Sequence, residues 1–295
     1  MSEKVFDILV VGSGLSSLVF AEEYLKKKNN IDIISPNFKY KIKTEMDYNF
    51  DPKTLPPQFK KNFSKIVDYF HFNNLNFDKK NCNILGSLEF GGLSNYWGLQ
   101  MDKEANEDLN YFGNKAKKEI INCFTEILKE KSLIGNFGTY KNSLKINNFY
   151  ENILKKYKDS KKLIIEKSLI AINKNNKKNI KKLNPDLILK KIKKKVTFHN
   201  FFLKKISKKK NLIFLHCIRG NEKRIFKTRK LILATGTLVT TKLIMDFLNI
   251  KREVPIKHHP RLISMYIAKK KILDNTKLTA GLLQIKSRQK NETFS

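Results

Sequence analysis

Apolar and polar positions alternate along this chain in blocks whose period changes from one element to the next. The first block, Phe6-Asp7-Ile8-Leu9-Val10-Val11, is an apolar run rich in β-forming residues. It breaks at Gly12-Ser13-Gly14 and passes into Leu15 to Leu25, where Leu18, Ala21 and Leu25 recur at helical spacing. Lys26 to Lys28 follow, where a helix C-terminus favours positive charge. Asn29-Asn30 then turns the chain into a second short strand, Ile31 to Ile34. The pattern predicts strand, glycine turn, helix, strand.

Residues 37–80 are polar and aromatic, with Pro52, Pro56 and Pro57 as breakers, and read as loop. Within them Lys60 to Phe72 predicts one short helix with Phe63, Ile66, Val67 and Phe70 on its inner face. A connection of that length typically covers a ligand or shapes its access. Residues 105–160 read as mostly helical, with Ile120, Ile121, Phe124, Ile127 and Leu128 on one face and a second helix over Asn148 to Tyr157. From Leu163 the pattern turns to strands, Leu163 to Ile165 and Ser168 to Ile172, before a solvated lysine- and asparagine-rich loop, Asn173 to Lys182. After Pro185, Phe198 to Ile206, Leu212 to Ile218 and Arg224 to Thr228 are separated by Lys208 to Asn211 and by Gly220-Asn221. These turn signals predict a three-stranded antiparallel ribbon. It feeds a buried strand, Lys230 to Gly236, and a helix from Val239 to Leu248.

With 295 residues, 41% apolar and 11% aromatic, the chain has the composition of a globular protein with a sizeable core. Its net charge of +33 invites a nucleic-acid or anionic-membrane partner. Two features weaken that reading. Arginine, which planar phosphate and guanine recognition favours, is confined to Arg219, Arg224, Arg229, Arg252, Arg261 and Arg288. Lysine, asparagine and isoleucine recur throughout, in ordinary loops as well, which marks a general compositional bias rather than a selected patch. Cys82, Cys123 and Cys217 are odd in number, far apart and without zinc or redox spacing, so free buried thiols in a reducing, cytoplasmic setting are expected. No apolar stretch reaches the length of a membrane span. Lys4, the apolar run and Val19-Phe20-Ala21 mimic a signal peptide, but Asp7, Gly12 and Gly14 interrupt it.

The first block has the βαβ order that places a helix N-terminus under a pyrophosphate. Gly12 permits the tight turn, and Gly14 lets backbone approach phosphate with no Cβ between them. The third position of the fingerprint is Ser17, small but neither Gly nor Ala. The acid that normally holds a ribose at the end of the second strand is replaced by Ser35, followed by Pro36. A second glycine-rich stretch, Leu85 to Gly98, holds Gly86, Gly91, Gly92, Gly98 and the chain's single tryptophan, Trp97. Glycine pairs let backbone lie against a flat ligand, with their N–H groups free to meet anionic oxygens.

Gly91-Gly92-Leu93-Ser94-Asn95-Tyr96-Trp97-Gly98 and the later Leu231-Ile232-Leu233-Ala234-Thr235-Gly236-Thr237-Leu238 follow the Gly12 turn in the order seen in glucose-methanol-choline (GMC) flavoprotein oxidoreductases, which the chain resembles over most of its length. His259-Pro260 resembles that family's His-Pro step, with His258 where an Asp is usual. The resemblance implies an α/β, Rossmann-like FAD-binding fold with an antiparallel β ribbon and an inserted, mainly helical segment. Its divisions would be 1–100 (βαβ and flavin-contact loop), 101–160 (helical insertion), 161–260 (return of the FAD-binding domain) and 261–295 (start of an incomplete substrate domain).

It also implies FAD as cofactor. Gly12, Ser13, Gly14, Leu15, Ser16 and Ser17 would cradle the pyrophosphate, with Ser35 and Pro36 near the adenosine ribose. Gly91, Gly92, Ser94, Asn95, Tyr96, Trp97 and Gly98 would run beside the flavin ring and pyrophosphate, with Ser94 and Asn95 able to hydrogen-bond the cofactor. Leu203 would read the adenine through its backbone, and Ala234, Thr235 and Gly236 would close over the cofactor. The implied activity is hydride transfer from the CH–OH carbon of a small-molecule alcohol, such as a sugar or polyol, to flavin N5 while a protein base takes the hydroxyl proton.

The family's catalytic histidine and its partner lie in a C-terminal section for which this sequence has no counterpart before Ser295. Three expectations stand: a fragment or split product completed by a C-terminal partner chain, a shortened member with another base, or a cofactor-binding protein without turnover. His71, His199, His216, His258 and His259 are candidate bases by type, and none is assigned; His199 and His216, in the ribbon, read as structural. Two alternatives remain open. One is an NADP-linked reductase, with neutral Ser35 and Lys39 accepting a 2′-phosphate. The other is a non-catalytic basic protein that binds nucleic acid or anionic membrane.

Overall fold

The computed structural model describes residues 4–36, 86–95, 100–101, 109, 112–130, 152–160, 163–167, 169–171, 183–255, 283–287 and 293–294. In chain order the elements are β1 (Val5–Val11), α1 (Leu15–Tyr24), β2 (Ile31–Ile34), a 3-10 turn (Gly92–Asn95), β3 (Gln100–Met101), α2 (Asn114–Glu130), β4 (Leu163–Lys167) and β5 (Leu169–Ile170). They continue with α3 (Pro185–Ile192), β6 (Val196–His199), β7 (Phe202–Lys209), β8 (Leu212–Arg219), β9 (Glu222–Leu233), α4 (Thr237–Phe247), β10 (Leu283–Ser287) and β11 (Thr293–Phe294). The chain divides into two compact units, Met1–Tyr96 with Asn184–Lys257, and Trp97–Leu183 with His258–Ser295.

The first unit is α/β. Its mixed six-stranded sheet has the order β6-β2-β1-β9-β8-β7. β6, β2, β1 and β9 run parallel, and β9, β8 and β7 form an antiparallel ribbon. Leu9, Val10 and Val11 of β1 are buried together, as a strand covered on both faces requires. α1 and α3 pack against each other, with Leu18, Ala21, Ile188 and Ile192 buried. A separate cluster joins Leu9, Val11 and Ile34 to Leu203, Leu215 and Phe226 of the ribbon and to Val239 and Leu243 of α4.

Four features differ from the sequence pattern. Phe198 to Ile206, expected as one ribbon strand, is two: Val196–His199 pairs with β2 at the sheet edge, and Phe202–Lys209 enters the ribbon. The break lies at Asn200, where Phe201 N–H donates to the His199 carbonyl at 2.9 Å. Conversely, Arg224 to Thr228 and the strand expected from Lys230 are one strand, β9, which pairs antiparallel with β8 through Thr228 and parallel with β1 from Lys227 onward. It is half-buried over Leu231, Ile232 and Leu233 rather than buried, and Ala234, Thr235 and Gly236 lie beyond its end. α3 was not expected. Its signals are present nonetheless, since Asn184 Oδ1 accepts from Leu187 N–H at 2.8 Å, Pro185 opens the helix, Asp186 sits in the first turn and Lys190 and Lys191 in the last. Finally, of the thiols expected to be buried, Cys217 is buried but Cys123 is exposed.

In the second unit, α2 has Ile120, Ile121, Phe124 and Ile127 half-buried along one face, and 152–157 is helical. β10 pairs antiparallel with β4 (Leu283↔Lys167 to Ser287↔Leu163) and with β11, and β3 pairs with β5. The expected Lys60 to Phe72 helix and Asn173 to Lys182 loop, like Cys82 and Lys39, lie outside the described residues. No helix among the described residues is long and apolar enough to cross a membrane.

Candidate functional site

β1 and β9 end side by side, with Val11 opposite Leu233. Two hydrogen bonds seal these ends: Gly12 N–H donates to the Ile34 carbonyl and Ala234 N–H to the Val11 carbonyl, each at 2.8 Å. From there the chain enters α1 after Gly14 and α4 after Gly236. Two helix N-termini therefore open at the carboxyl end of the parallel strands. Each leaves backbone N–H groups without intrahelical partners and carries the positive end of a helix dipole. Neither helix has an acidic residue in its first turn.

Between these ends lies a cavity of about 190 Å³. Its far wall is the 86–95 segment, held to the βαβ turn by serine hydroxyls. Ser13 Oγ accepts from Gly91 N–H at 3.1 Å and from Ser35 Oγ at 2.8 Å, with Ser13 and Ser35 both buried. Ser94 Oγ accepts from Leu15 N–H at 2.9 Å and so satisfies one orphan amide of α1. Gly12, at φ +114°, and Gly91, at φ +87°, adopt backbone conformations that a side chain would strain.

Of the residues singled out from the sequence, Gly12, Ser13, Gly14, Leu15, Ser16, Ser35, Pro36, Gly91, Gly92, Ser94, Leu203, Ala234, Thr235 and Gly236 all line this cavity. Leu203 does so beside a break in register of the β7–β8 ladder. Ser17 does not line it: the side chain is buried within α1 and its hydroxyl donates to the Gly14 carbonyl at 3.1 Å. Asn95 turns back on its own loop, its Nδ2 donating to the Phe90 carbonyl at 2.8 Å. Tyr96, Trp97 and Gly98 lie outside the described residues. The cavity also includes Val11, Ser87, Leu88, Glu89, Leu93, Phe202 and Val239, which the sequence reading did not select. Ser87, Leu88 and Glu89 precede the Gly91–Gly98 motif within the glycine-rich stretch, and Leu93 is its variable position, so no motif signal marks them.

Both described histidines are engaged away from the cavity. His199 Nε2 meets Asp32 Oδ1 at 2.7 Å, its ring edge-on to Phe6, and His216 Nε2 meets Ser207 Oγ at 2.8 Å on the ribbon. His71, His258 and His259 lie outside the described residues. Burial pushes the Cys217 thiol up to about 12, so it stays protonated and inert. Lys204, next to Leu203, is held below the usual lysine range, first by burial and then by the nearby Lys242 ammonium.

No protein-family model and no curated protein matches this sequence. What the site does chemically therefore rests on its own residues. Its described lining is backbone amide, hydroxyl, aliphatic side chains and one aromatic ring, Phe202, with Glu89 the one charged residue and no histidine, cysteine or lysine among them. Such a lining offers hydrogen-bond donors and apolar surface, chemistry suited to an anion-bearing ligand. It contains no paired nucleophile and base.

Proposed function

We propose that the first unit is a Rossmann-like FAD-binding domain and that the chain is a GMC-like flavoprotein oxidoreductase acting on the CH–OH group of a small alcohol. One observation carries this reading: α1, α4 and the Gly91 turn converge on a single cavity where the strand order reverses, between β1 and β9. In open α/β sheets, ligands bind at such a switch point, outside the carboxyl ends of the strands. The residues suit a pyrophosphate, which orphan amides and two helix dipoles attract and which no acidic first-turn residue repels. At about 190 Å³ the cavity is smaller than the roughly 300–1,000 Å³ of a typical small-molecule site, so in this reading it holds only part of the cofactor, around its pyrophosphate.

Bound FAD would supply the hydride acceptor. The chain's own part, in this reading, is to hold the phosphates on the α1 and α4 amides and the adenine along Leu203. Ser35 gives little support to an NADP-linked alternative, because it is buried and its hydroxyl donates to Ser13.

The test is an absorbance scan of the purified full chain, before and after incubation with FAD and gel filtration. A flavin spectrum that travels with the protein is the expected result. A colourless protein that takes up no FAD would overturn the reading, and salt-dependent retention of that protein on heparin would favour the basic, non-catalytic alternative.

A further inference from the structure

Ser35 follows β2 directly, where the carboxylate that holds a dinucleotide ribose normally lies. Its hydroxyl is given elsewhere: it donates to Ser13 Oγ at 2.8 Å, and both side chains are buried. We propose that Ser35 serves the phosphates instead, by orienting the Ser13 hydroxyl to donate a hydrogen bond to a phosphate oxygen of the ligand. The inference rests on the nucleotide reading above and goes one step beyond it. At this position the site reads the diphosphate through a neutral hydroxyl relay and leaves the ribose unread.

Two contacts fix Ser13 Oγ. It accepts from Ser35 Oγ and, at 3.1 Å, from Gly91 N–H. A serine hydroxyl has two lone pairs and one proton, so these bonds fill its acceptor capacity and leave the proton to give. Among the described residues that proton has no acceptor. Ser13 is nevertheless only 5% exposed, and a buried donor left unpaired is costly. Ser13, Ser35 and Gly91 all line the cavity, and Ser13 immediately precedes Gly14, the N-cap of α1. The unspent donor thus stands beside the helix end that attracts an anion.

The chemistry favours a phosphate. Ser94 Oγ already takes the first α1 amide, Leu15 N–H, so the Ser13 proton restores a donor at this turn. The bond from Ser35 polarises the Ser13 O–H and strengthens it as a donor. An ionised phosphate oxygen is the strong acceptor that suits it. A carboxylate at position 35 would do the opposite. It can only accept, so it would take the Ser13 proton for itself and set a negative charge beside the phosphates.

Restoring the acid therefore separates the two roles by sign. Calorimetric titration of the full chain with ADP and 2′-deoxy-ADP compares the wild type with Ser35→Asp, Ser35→Ala and Ser13→Ala. Ser35→Asp should bind ADP about 10-fold or more weakly, the loss of one hydrogen bond to a charged group. Ser13→Ala should lose a similar factor and Ser35→Ala about 3-fold, each equally for ADP and 2′-deoxy-ADP. Tighter ADP binding by Ser35→Asp, or a Ser35→Ala loss confined to ADP, would assign Ser35 to the ribose and overturn the relay. Unchanged ADP affinity in Ser13→Ala overturns it as well. Should Ser35→Asp fail to fold by circular dichroism, the two alanine variants decide. Adenosine affinity, read by ligand-observed NMR, should be the same in the wild type and Ser35→Ala. A fall equal to that of ADP would make Ser35 a purely structural residue and overturn the relay. Where adenosine binds neither protein, Ser35→Thr, which restores the hydroxyl, should regain wild-type ADP affinity, and its failure to do so counts against the relay in the same way. All these results leave the nucleotide reading intact. Failure of the wild type to bind either ADP or FAD overturns both.

Discussion

Gly12 and Gly91 both have positive φ and both line the cavity, yet the space that each lacks a Cβ to fill is taken by different things. A Cβ on Gly12 would run into the main-chain carbonyl of Ala234, lying 2.7 Å from its carbon. That carbonyl cannot move aside, because Ala234 N–H is bonded to Val11 at the end of the central strand pair. At Gly91 the obstacles are side chains, with Asn95 Oδ1 at 2.5 Å and Pro185 Cγ at 2.8 Å. The same residue type in the same kind of motif thus answers in one place to strand packing and in the other to side chains of its own loop and of α3. A glycine turn can be demanded by the protein's own backbone before any ligand arrives.

The largest effect should come from Gly12→Ala. Overpacking against fixed backbone costs roughly 1–3 kcal/mol and the strained φ roughly 1–3 more, a substantial part of the 5–15 kcal/mol that holds a domain. The urea midpoint should collapse or the protein become insoluble. A midpoint within error of wild type would show that β1 and β9 do not meet as described.

Gly91→Ala should cost less, about 2–3 kcal/mol, because the exposed Asn95 side chain can swing away. Adding Asn95→Ala to it should recover about 1 kcal/mol, a coupling that the double-mutant cycle in urea reads directly. Strict additivity would remove Asn95 as the obstacle and with it half of the contrast with Gly12.

These contacts also explain what the sequence did and did not disclose. The β1–α1–β2 unit was legible because apolar period, glycine turn and lysine cap agree locally. The division of Val196 to Lys209 into two strands was not. Its apolar run continues through Phe198, Phe201 and Phe202, and what separates the strands is the pairing of Ile34 with His199, a tertiary choice. α3 had its cap and proline in plain view, but the lysines from Lys190 to Lys195 masked an apolar stripe of which Ile188 and Ile192 are the buried part. In the site, each glycine segment stood out alone. That Ser13 would join Gly91, a residue 78 positions away, could not be read from either segment, because a serine hydroxyl carries no periodicity.

Ser94→Ala carries a smaller expectation. It leaves Leu15 N–H without its acceptor, a loss comparable to removing a helix N-cap, about 1 kcal/mol. The urea midpoint should fall accordingly, with the far-ultraviolet circular dichroism unchanged. No change would mean that water serves the α1 N-terminus equally well, and that the Gly91 turn is held to α1 by Ser13 alone.

Gly14→Ala should have the smallest effect on stability and separates folding from binding. Gly14 has φ −72°, a value any residue adopts, and its Cβ would lie 3.2 Å from Ser94 Oγ and 3.7 Å from the Gly91 carbonyl oxygen. A few tenths of an ångström of adjustment accommodates it, so the cost should be about 0.5 kcal/mol, largely that of alanine as a poor N-cap. The added methyl would stand between residues that line the cavity, where backbone must approach a phosphate closely. Affinity for ADP or FAD should therefore drop by about 10-fold or more while the urea midpoint stays near wild type. Where Gly12→Ala removes the fold, Gly14→Ala removes the ligand. A Gly14→Ala protein that binds nucleotide as tightly as wild type would mean that the phosphates do not approach α1 at this turn.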